Sequence, residues 1–340
     1  MANADPRILI AGAGAIGSVA GACLTEAGQD VTLVDTDAAH VAAIQANGLI
    51  LEGYPSTRTV PVRISPPDAL EGPFDVVFLA VKSQHTVAAL EDVRQHLAPG
   101  AFVVSLQNGI NEPAISAVIG GGRTLSVVIH LAADQMAPGR VVRHGQGEFI
   151  VGEPDGSDSE RCRQAQRLLE LVAPTTASGN ILGWQWTKQI YGCFLVASAL
   201  ADEPNPEQLR SPAPRMAHAA LLSEATRVAL AAGVRLEALD MFDPMDFAAG
   251  DAARAAAGLD RMAAHSGKGK SGMWRDIRVK GRKSESDWIT GQVIEAGAQV
   301  GVPTPVNRAV LAMIHELEAG QRECSLDNFR ALAELAPVAI

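Results

Sequence analysis

Residues 8–35 read ILIAGAGAIGSVAGACLTEAGQDVTLVD, and the reading of this stretch decides the fold. Ile8–Ala11 is short and wholly apolar, the pattern of a strand buried on both faces. Gly12-Ala13-Gly14-Ala15-Ile16-Gly17 follows as a G-x-G-x-x-G, and then the apolar period turns helical. Ile16, Ala20, Cys23 and Leu24 recur at i, i+4, i+7 and i+8, and Gly28 stands where a helix C-cap belongs. A second apolar run, Val31–Val34, ends on Asp35. Strand, glycine turn, helix, strand and terminal acid are together the context that a dinucleotide-binding fingerprint requires.

Each part has a mechanical reason. Gly12 permits the tight turn, Gly14 lets the backbone approach a pyrophosphate, and Gly17 lets helix and strand pack closely. Ala15 and Ile16 open the helix, whose first N–H groups and dipole hold phosphate. A carboxylate at Asp35 accepts the ribose 2′-OH of NAD and repels the 2′-phosphate of NADP. No arginine stands in Asp35-Thr36-Asp37, so NAD(H) is favoured while NADP(H) stays open.

A chain of 340 residues is long for one core and implies two domains. A formal charge of −10 argues against nucleic acid or an anionic membrane as partner, since both need clustered cations. Cys23, Cys162, Cys193 and Cys324 show no paired spacing and read as free thiols in a reducing compartment. MANADPR has no apolar signal core, and no apolar run reaches spanning length. The expectation is a soluble, cytoplasmic protein.

Along the chain, residues 37–47 read as a helix, with short strands near 49–52 and 59–64. Residues 75–81 form a doubly buried strand ending at Lys82; 101–105 form another, opening into Leu106-Gln107-Asn108-Gly109. Ligands of such sheets collect at the strands' carboxyl ends, which places Lys82, Gln107 and Asn108 beside the glycine turn. Strands at 125–131, 140–143 and 148–152 complete the sheet, and 174–180 read as a polar connection. From residue 160 onward helical periods dominate, including 184–200, 217–232, 244–264, 285–298 and 304–319. The expected fold is an α/β Rossmann-type parallel sheet domain, 1–178, followed by an all-α domain, 179–340, for substrate and dimerisation. The default site is the cleft between them, and an apolar helical second domain is compatible with a homodimer. H-E-x-x-H and G-x-S-x-G are absent, so neither zinc nor a serine nucleophile is expected.

ILIAGAGAIGSVAGACL, DVVFLAVKSQHT, VVSLQNGINE, the Trp186–Lys188 WTK, KSGMWRDIRVKGRKSESDWITGQV and GVPTPVN occur in an order that resembles the ketopantoate reductase family. The resemblance covers essentially the whole chain. It implies reduction of a 2-oxo acid by a nicotinamide cofactor, with residues acting from both domains. It places the catalytic lysine at Lys188, a glutamate that orients the lysine and substrate at Glu285, an asparagine near nicotinamide and substrate at Asn108, and a cofactor-side lysine at Lys82. A buried ammonium beside a carbonyl oxygen can donate a proton as hydride arrives, provided burial lowers its pKa. Read from spacing alone, Lys188 is more readily a lysine snorkelling from an apolar helix, and it is the resemblance that turns the reading to catalysis. Ser284, with Asp287 three on, reads as a helix cap that puts Glu285 in the first turn.

The chain also departs from the family's pattern. The family carries asparagines four and eight residues beyond its lysine, where Gly192 and Val196 stand here. A site lacking those donors leaves substrate hydroxyls unpaired at roughly 1–3 kcal/mol each. The expected substrate is therefore a small carbonyl or alcohol compound less polar than ketopantoate, with Tyr191 and Trp274 as walls. The family's carboxylate-binding serine falls near Ser271, with Lys268 or Lys270 as further cations. Two rivals remain: a genuine 2-dehydropantoate 2-reductase, and a non-catalytic NAD(P)-sensing binding protein.

Overall fold

The computed structural model describes residues 5–266 and 269–335. The chain divides into two compact units between Ile181 and Leu182, against the expected 178/179. The first carries the strands β1 (Ile8–Ala11), β2 (Val31–Val34), β3 (Leu49–Gly53), β4 (Arg58–Val60), β5 (Arg63–Ser65), β6 (Phe74–Leu79), β7 (Leu97–Ser105), β8 (Thr124–Ile129), β9 (Ala133–Ala137), β10 (Arg140–Arg143), β11 (Phe149–Gly152) and β12 (Thr175–Ala177). Among the described residues, eight of them form one sheet in the order β12-β11-β8-β7-β6-β1-β2-β5. All neighbouring pairs run parallel except β8 and β11, which are antiparallel. Alternation along β1 shows why it sits at the centre. Ile8 and Ile10 enter one apolar core while Leu9 and Ala11 enter another, and all four are fully buried. Burial contributes roughly 1.5–3 kcal/mol for each large aliphatic side chain.

Three expectations for this unit need correction. Residues 140–143 do not belong to the main sheet: β10 lies in a second sheet, ordered β4-β3-β10-β9. Their apolar pattern was right for a strand but carries no information about which sheet it joins. β9 was not anticipated, because Ala-Asp-Gln-Met-Ala lacks alternation; it pairs as the antiparallel partner of β10 across the turn at Gly139. β12 falls inside the stretch read as a polar connection and is recruited by backbone pairing with β11, becoming the edge of the sheet.

The second unit is built of helices: Ile181–Ala197 (which begins one residue earlier), Asn205–Arg210, Pro212–Ala231, Ala252–His265, Gly272–Arg278, Gln292–Val300, Pro305–Glu318 and Asp327–Glu334. The helix expected over 244–264 is broken. A 3-10 turn covers Pro244–Phe247, Gly250 takes φ +67°, and the Asp251 carboxylate then caps a new helix by accepting the Arg254 N–H. The helix expected from Glu285 opens instead with a π turn, Asp287–Gly291. Phe194, Leu221, Val228, Val306, Val310, Ile314 and Phe329 are fully buried in this unit. Glu224, also buried, accepts from the N–H groups of Val306 (3.0 Å) and Asn307 (3.0 Å), so a remote carboxylate caps the helix Pro305–Glu318. No helix among the described residues is long and apolar enough to cross a membrane.

Candidate active-site residues in the two units

In the first unit the strand order reverses at β1, whose neighbours are β2 and β6. That is the topological switch point where open α/β sheets bind ligands. The turn that leaves β1 has little tolerance for side chains. Gly12 holds φ +99°, and a Cβ on it would stand 2.8 Å from the Val81 backbone nitrogen. A Cβ on Gly17 would stand 1.9 Å from the Gly12 carbonyl oxygen. At Gly14 the opposite holds: a Cβ would meet nothing within 4 Å, so it would project into open space over the start of the helix Ala15–Glu26. Backbone N–H groups at Ala15 and Ile16, open space above them and the helix dipole behind them fit a pyrophosphate.

Asp35 stands beside this turn. Its Oδ2 accepts the Ala13 N–H at 2.7 Å and its Oδ1 the Asp37 N–H at 2.9 Å. The Ala13 carbonyl in turn accepts from Ser18 Oγ (2.6 Å) and from His40 Nε2 (2.9 Å). His40 is 1% exposed and was missed in the sequence, where it is one residue in an alanine-rich helix. Its Nδ1 accepts from the Gly139 N–H (3.0 Å) and Gln135 Nε2 (3.1 Å), which fixes the neutral tautomer with the proton on Nε2. The second sheet therefore holds the glycine turn through one imidazole.

The ends of β6 and β7 are laced together. Lys82, half-buried, precedes a 3-10 turn at Ser83–His85. Gln107 is buried, and its Nε2 donates to the Val81 carbonyl (2.9 Å) and Thr86 Oγ1 (2.8 Å). Its amide therefore ties two strand ends rather than pointing outward as a free contact. Asn108 is exposed; its carbonyl accepts Ser83 Oγ (2.9 Å) and Asn111 Nδ2 (2.7 Å), and Gly109 follows at φ +83°.

In the second unit Lys188 lies half-buried on the helix Ile181–Ala197. Loss of water around its ammonium lowers its pKa from 10.5 to about 8, and the charge of Glu285 pulls it back upward. Glu285, 3% exposed, is thus brought within electrostatic reach of the lysine. The capping expected of Ser284 takes another form: its N–H and Oγ–H both donate to Glu318 Oε1, at 2.8 and 2.7 Å. Asp287 Oδ1 pairs with His315 Nε2 at 2.9 Å instead of answering Ser284.

The other expected substrate positions are engaged with protein. Val196 is fully buried, and a Cβ on Gly192 would lie 2.8 Å from Ile289 Cγ2, so an asparagine could not stand there unless Ile289 moved. Ser271 caps the helix Gly272–Arg278 by accepting the Trp274 N–H at 3.2 Å. Trp274 donates its indole N–H to Asp202 (2.8 Å) and lies 3.7 Å under the Lys270 ammonium. Tyr191 joins the rings of Phe194 and Phe242. Lys268 lies outside the described residues.

A doubly wound sheet with this glycine turn, followed by a helical unit, is the frame of a dinucleotide-binding protein. Two family profiles match: Ketopantoate reductase PanE/ApbA over residues 8–156, and Ketopantoate reductase PanE/ApbA C terminal over residues 180–318. A 2-dehydropantoate 2-reductase of Pyrococcus abyssi is 31% identical, with 92% of this chain and 98% of that one covered. The crystal structure of a PanE/ApbA family ketopantoate reductase from Ralstonia eutropha JMP134 is 29% identical with a TM-score of 0.80, covering 93% of this chain and 99% of that one. A D-mandelate dehydrogenase structure with NADH and anilino(oxo)acetate shares the fold at 22% identity and a TM-score of 0.80, again over 93% and 99%. The chain belongs to the ketopantoate reductase family.

Proposed function

We propose that the protein reduces a 2-oxo acid or related carbonyl compound less polar than ketopantoate, with NADH preferred and Lys188 as general acid. The observation that carries this reading is the lysine itself: desolvation brings its pKa to about 8, beside the buried Glu285. An ordinary surface lysine holds its proton too tightly to give it up near neutral pH, whereas one near 8 is matched to the task. The nicotinamide supplies the hydride when it is bound. Lys188 gives its proton to the oxygen that becomes the alcohol, and Glu285 keeps the ammonium aimed and balances its charge. Asn108 orients nicotinamide and substrate, Lys82 approaches the cofactor, and Asp35 selects the unphosphorylated ribose.

The apolar character of the substrate is supported by Gly192, Val196 and Ile289. Where an amide donor at 192 would serve a substrate hydroxyl, this chain has an isoleucine methyl group packed against a glycine. A second reading, a genuine 2-dehydropantoate 2-reductase, is favoured by the name and 31% identity of the Pyrococcus abyssi relative. One experiment separates them: kcat/KM for ketopantoate against phenyl- and alkyl-substituted 2-oxo acids, aldehydes and ketones, with NADH and NADPH in parallel. Anilino(oxo)acetate, present with NADH in the structure of the structurally similar D-mandelate dehydrogenase, is a further ligand to include. A preference of about tenfold or more for an apolar 2-oxo acid is expected, equivalent to about 1.4 kcal/mol. Higher kcat/KM with ketopantoate, together with rescue of a pantoate auxotroph, would decide for the second reading.

A further inference from the structure

Next to Lys188 on the same helix is a polar side chain with no surface role. Gln189 is 3% exposed, and a buried carboxamide has to place its donors inside the protein. Its Nε2 donates to the carbonyls of Trp288 (3.0 Å) and Ile289 (2.8 Å) and to Gln292 Oε1 (3.0 Å). These acceptors lie in, or one residue beyond, the π turn Asp287–Gly291. A π turn inserts a residue into a helix and draws carbonyls away from their ordinary i+4 donors. Gln189 supplies donors to two of them, with two N–H bonds shared among three acceptors.

Gly192, three residues on, shares the helix face of Gln189. Its missing side chain is what admits Ile289: a Cβ there would stand 2.8 Å from Ile289 Cγ2. The turn is thus tied to the helix at Gln189 and seated at Gly192. Glu285 stands two residues before this turn, and its carbonyl accepts the Trp288 N–H at 3.0 Å. The Ser284–Glu318 clamp holds the same segment from the other side.

We infer that Gln189 is a positioning residue: by holding the π turn on the helix Ile181–Ala197, it sets the Glu285 carboxylate against Lys188, with Gly192 as the gap that lets the turn approach. This rests on the reading of Lys188 and Glu285 given above. It also gives Gly192 a duty besides withholding a donor from substrate, that of seating a turn. The charge of Glu285 acts on the Lys188 ammonium, and its effect is to raise the lysine's pKa. Removing the Gln189 donors should let Glu285 retreat and the lysine's pKa fall further.

The test is the pH dependence of kcat/KM for carbonyl reduction in Gln189→Leu, Gly192→Ala and the double variant Gly192→Ala/Ile289→Ala, with Lys188→Ala alongside. Gln189→Leu should lower kcat about tenfold and move the high-pH limb downward by roughly half a unit or more, with KM for NADH within about threefold of wild type. Gly192→Ala should shift the limb the same way, and trimming Ile289 should bring it back, a rescue that general destabilisation would not give. Should Gln189→Leu fail to fold, the Gly192→Ala and Ile289→Ala pair decides the matter by itself. A wild-type limb in Gln189→Leu, or no rescue in the double variant, would overturn the inference while leaving Lys188 as the acid. An active Lys188→Ala would remove the underlying reading instead.

Discussion

The two units assemble their working parts from different materials. In the first, the proposed chemistry of binding belongs to the backbone: N–H groups at Ala15 and Ile16, a turn with no room for side chains at Gly12 and Gly17, and Asp35 fastened to the Ala13 N–H. In the second the proposed chemistry belongs to side chains, Lys188 and Glu285, whose behaviour depends on what surrounds them. Backbone sites follow from spacing, because φ and close approach are decided residue by residue. Side-chain sites follow from burial and from neighbours far along the chain, here 285 against 188. The first kind should fail by losing ligand affinity, the second by losing rate.

The largest test of that contrast is Lys188→Ala. A general acid is worth about 10²–10⁴ in rate, so kcat should fall by that factor while the NADH dissociation constant stays within about threefold. Next is Gly17→Val. With a Cβ only 1.9 Å from the Gly12 carbonyl oxygen, the turn must rearrange, and fluorescence titration should show NADH affinity down at least about thirtyfold. Near-normal binding in this variant would break the comparison. His40→Leu is milder: removing the bridge to Ala13 and Gly139 should raise the NADH dissociation constant about five- to tenfold, roughly 1–1.4 kcal/mol, with kcat at saturating cofactor little changed. The smallest effect at neutral pH concerns stability. Burial between Phe194 and Phe329 pushes His218 down to about 3 from 6.5. Below pH 6.5 the unfolded chain takes a proton that the folded one refuses, so stability falls as pH drops toward 3. The slope from this group approaches roughly 1.4 kcal/mol per pH unit, and urea titrations of His218→Leu should show it reduced.

Much of the first unit was legible because its signals are local. Ile8–Ala11, the three glycines and Asp35 lie within 28 residues, and their order implies a parallel sheet around β1. β9, β12 and the partition into two sheets were not legible, since they depend on backbone pairing between distant strands of weak pattern. His40 escaped notice for a related reason: its partners Ala13, Gln135 and Gly139 are brought together only by the second sheet. In the second unit, Lys188 and Glu285 were picked out by resemblance, not by any period or spacing. The expectation of a plain helix from Glu285 missed the π turn, because nothing in Asp287-Trp288-Ile289-Thr290-Gly291 departs from helical periodicity. What fixes that turn is Gln189, about a hundred residues away. Gly192 shows the same limit, since an empty position can face a ligand or admit a neighbour, and only packing tells which.

The claim on which the rest depends is that a lysine with a pKa near 8 gives the proton. The most direct measurement is the pH profile of kcat/KM for carbonyl reduction in the free wild-type enzyme at limiting substrate. On that claim protonated Lys188 is the active form, so the rate should be level at lower pH and fall tenfold per unit above a break at about 8. Oxidation of the alcohol should show the mirror image, rising to a plateau through the same break. A reduction rate that stays level from pH 7 to beyond about 10, where even an ordinary lysine loses its proton, would contradict the account.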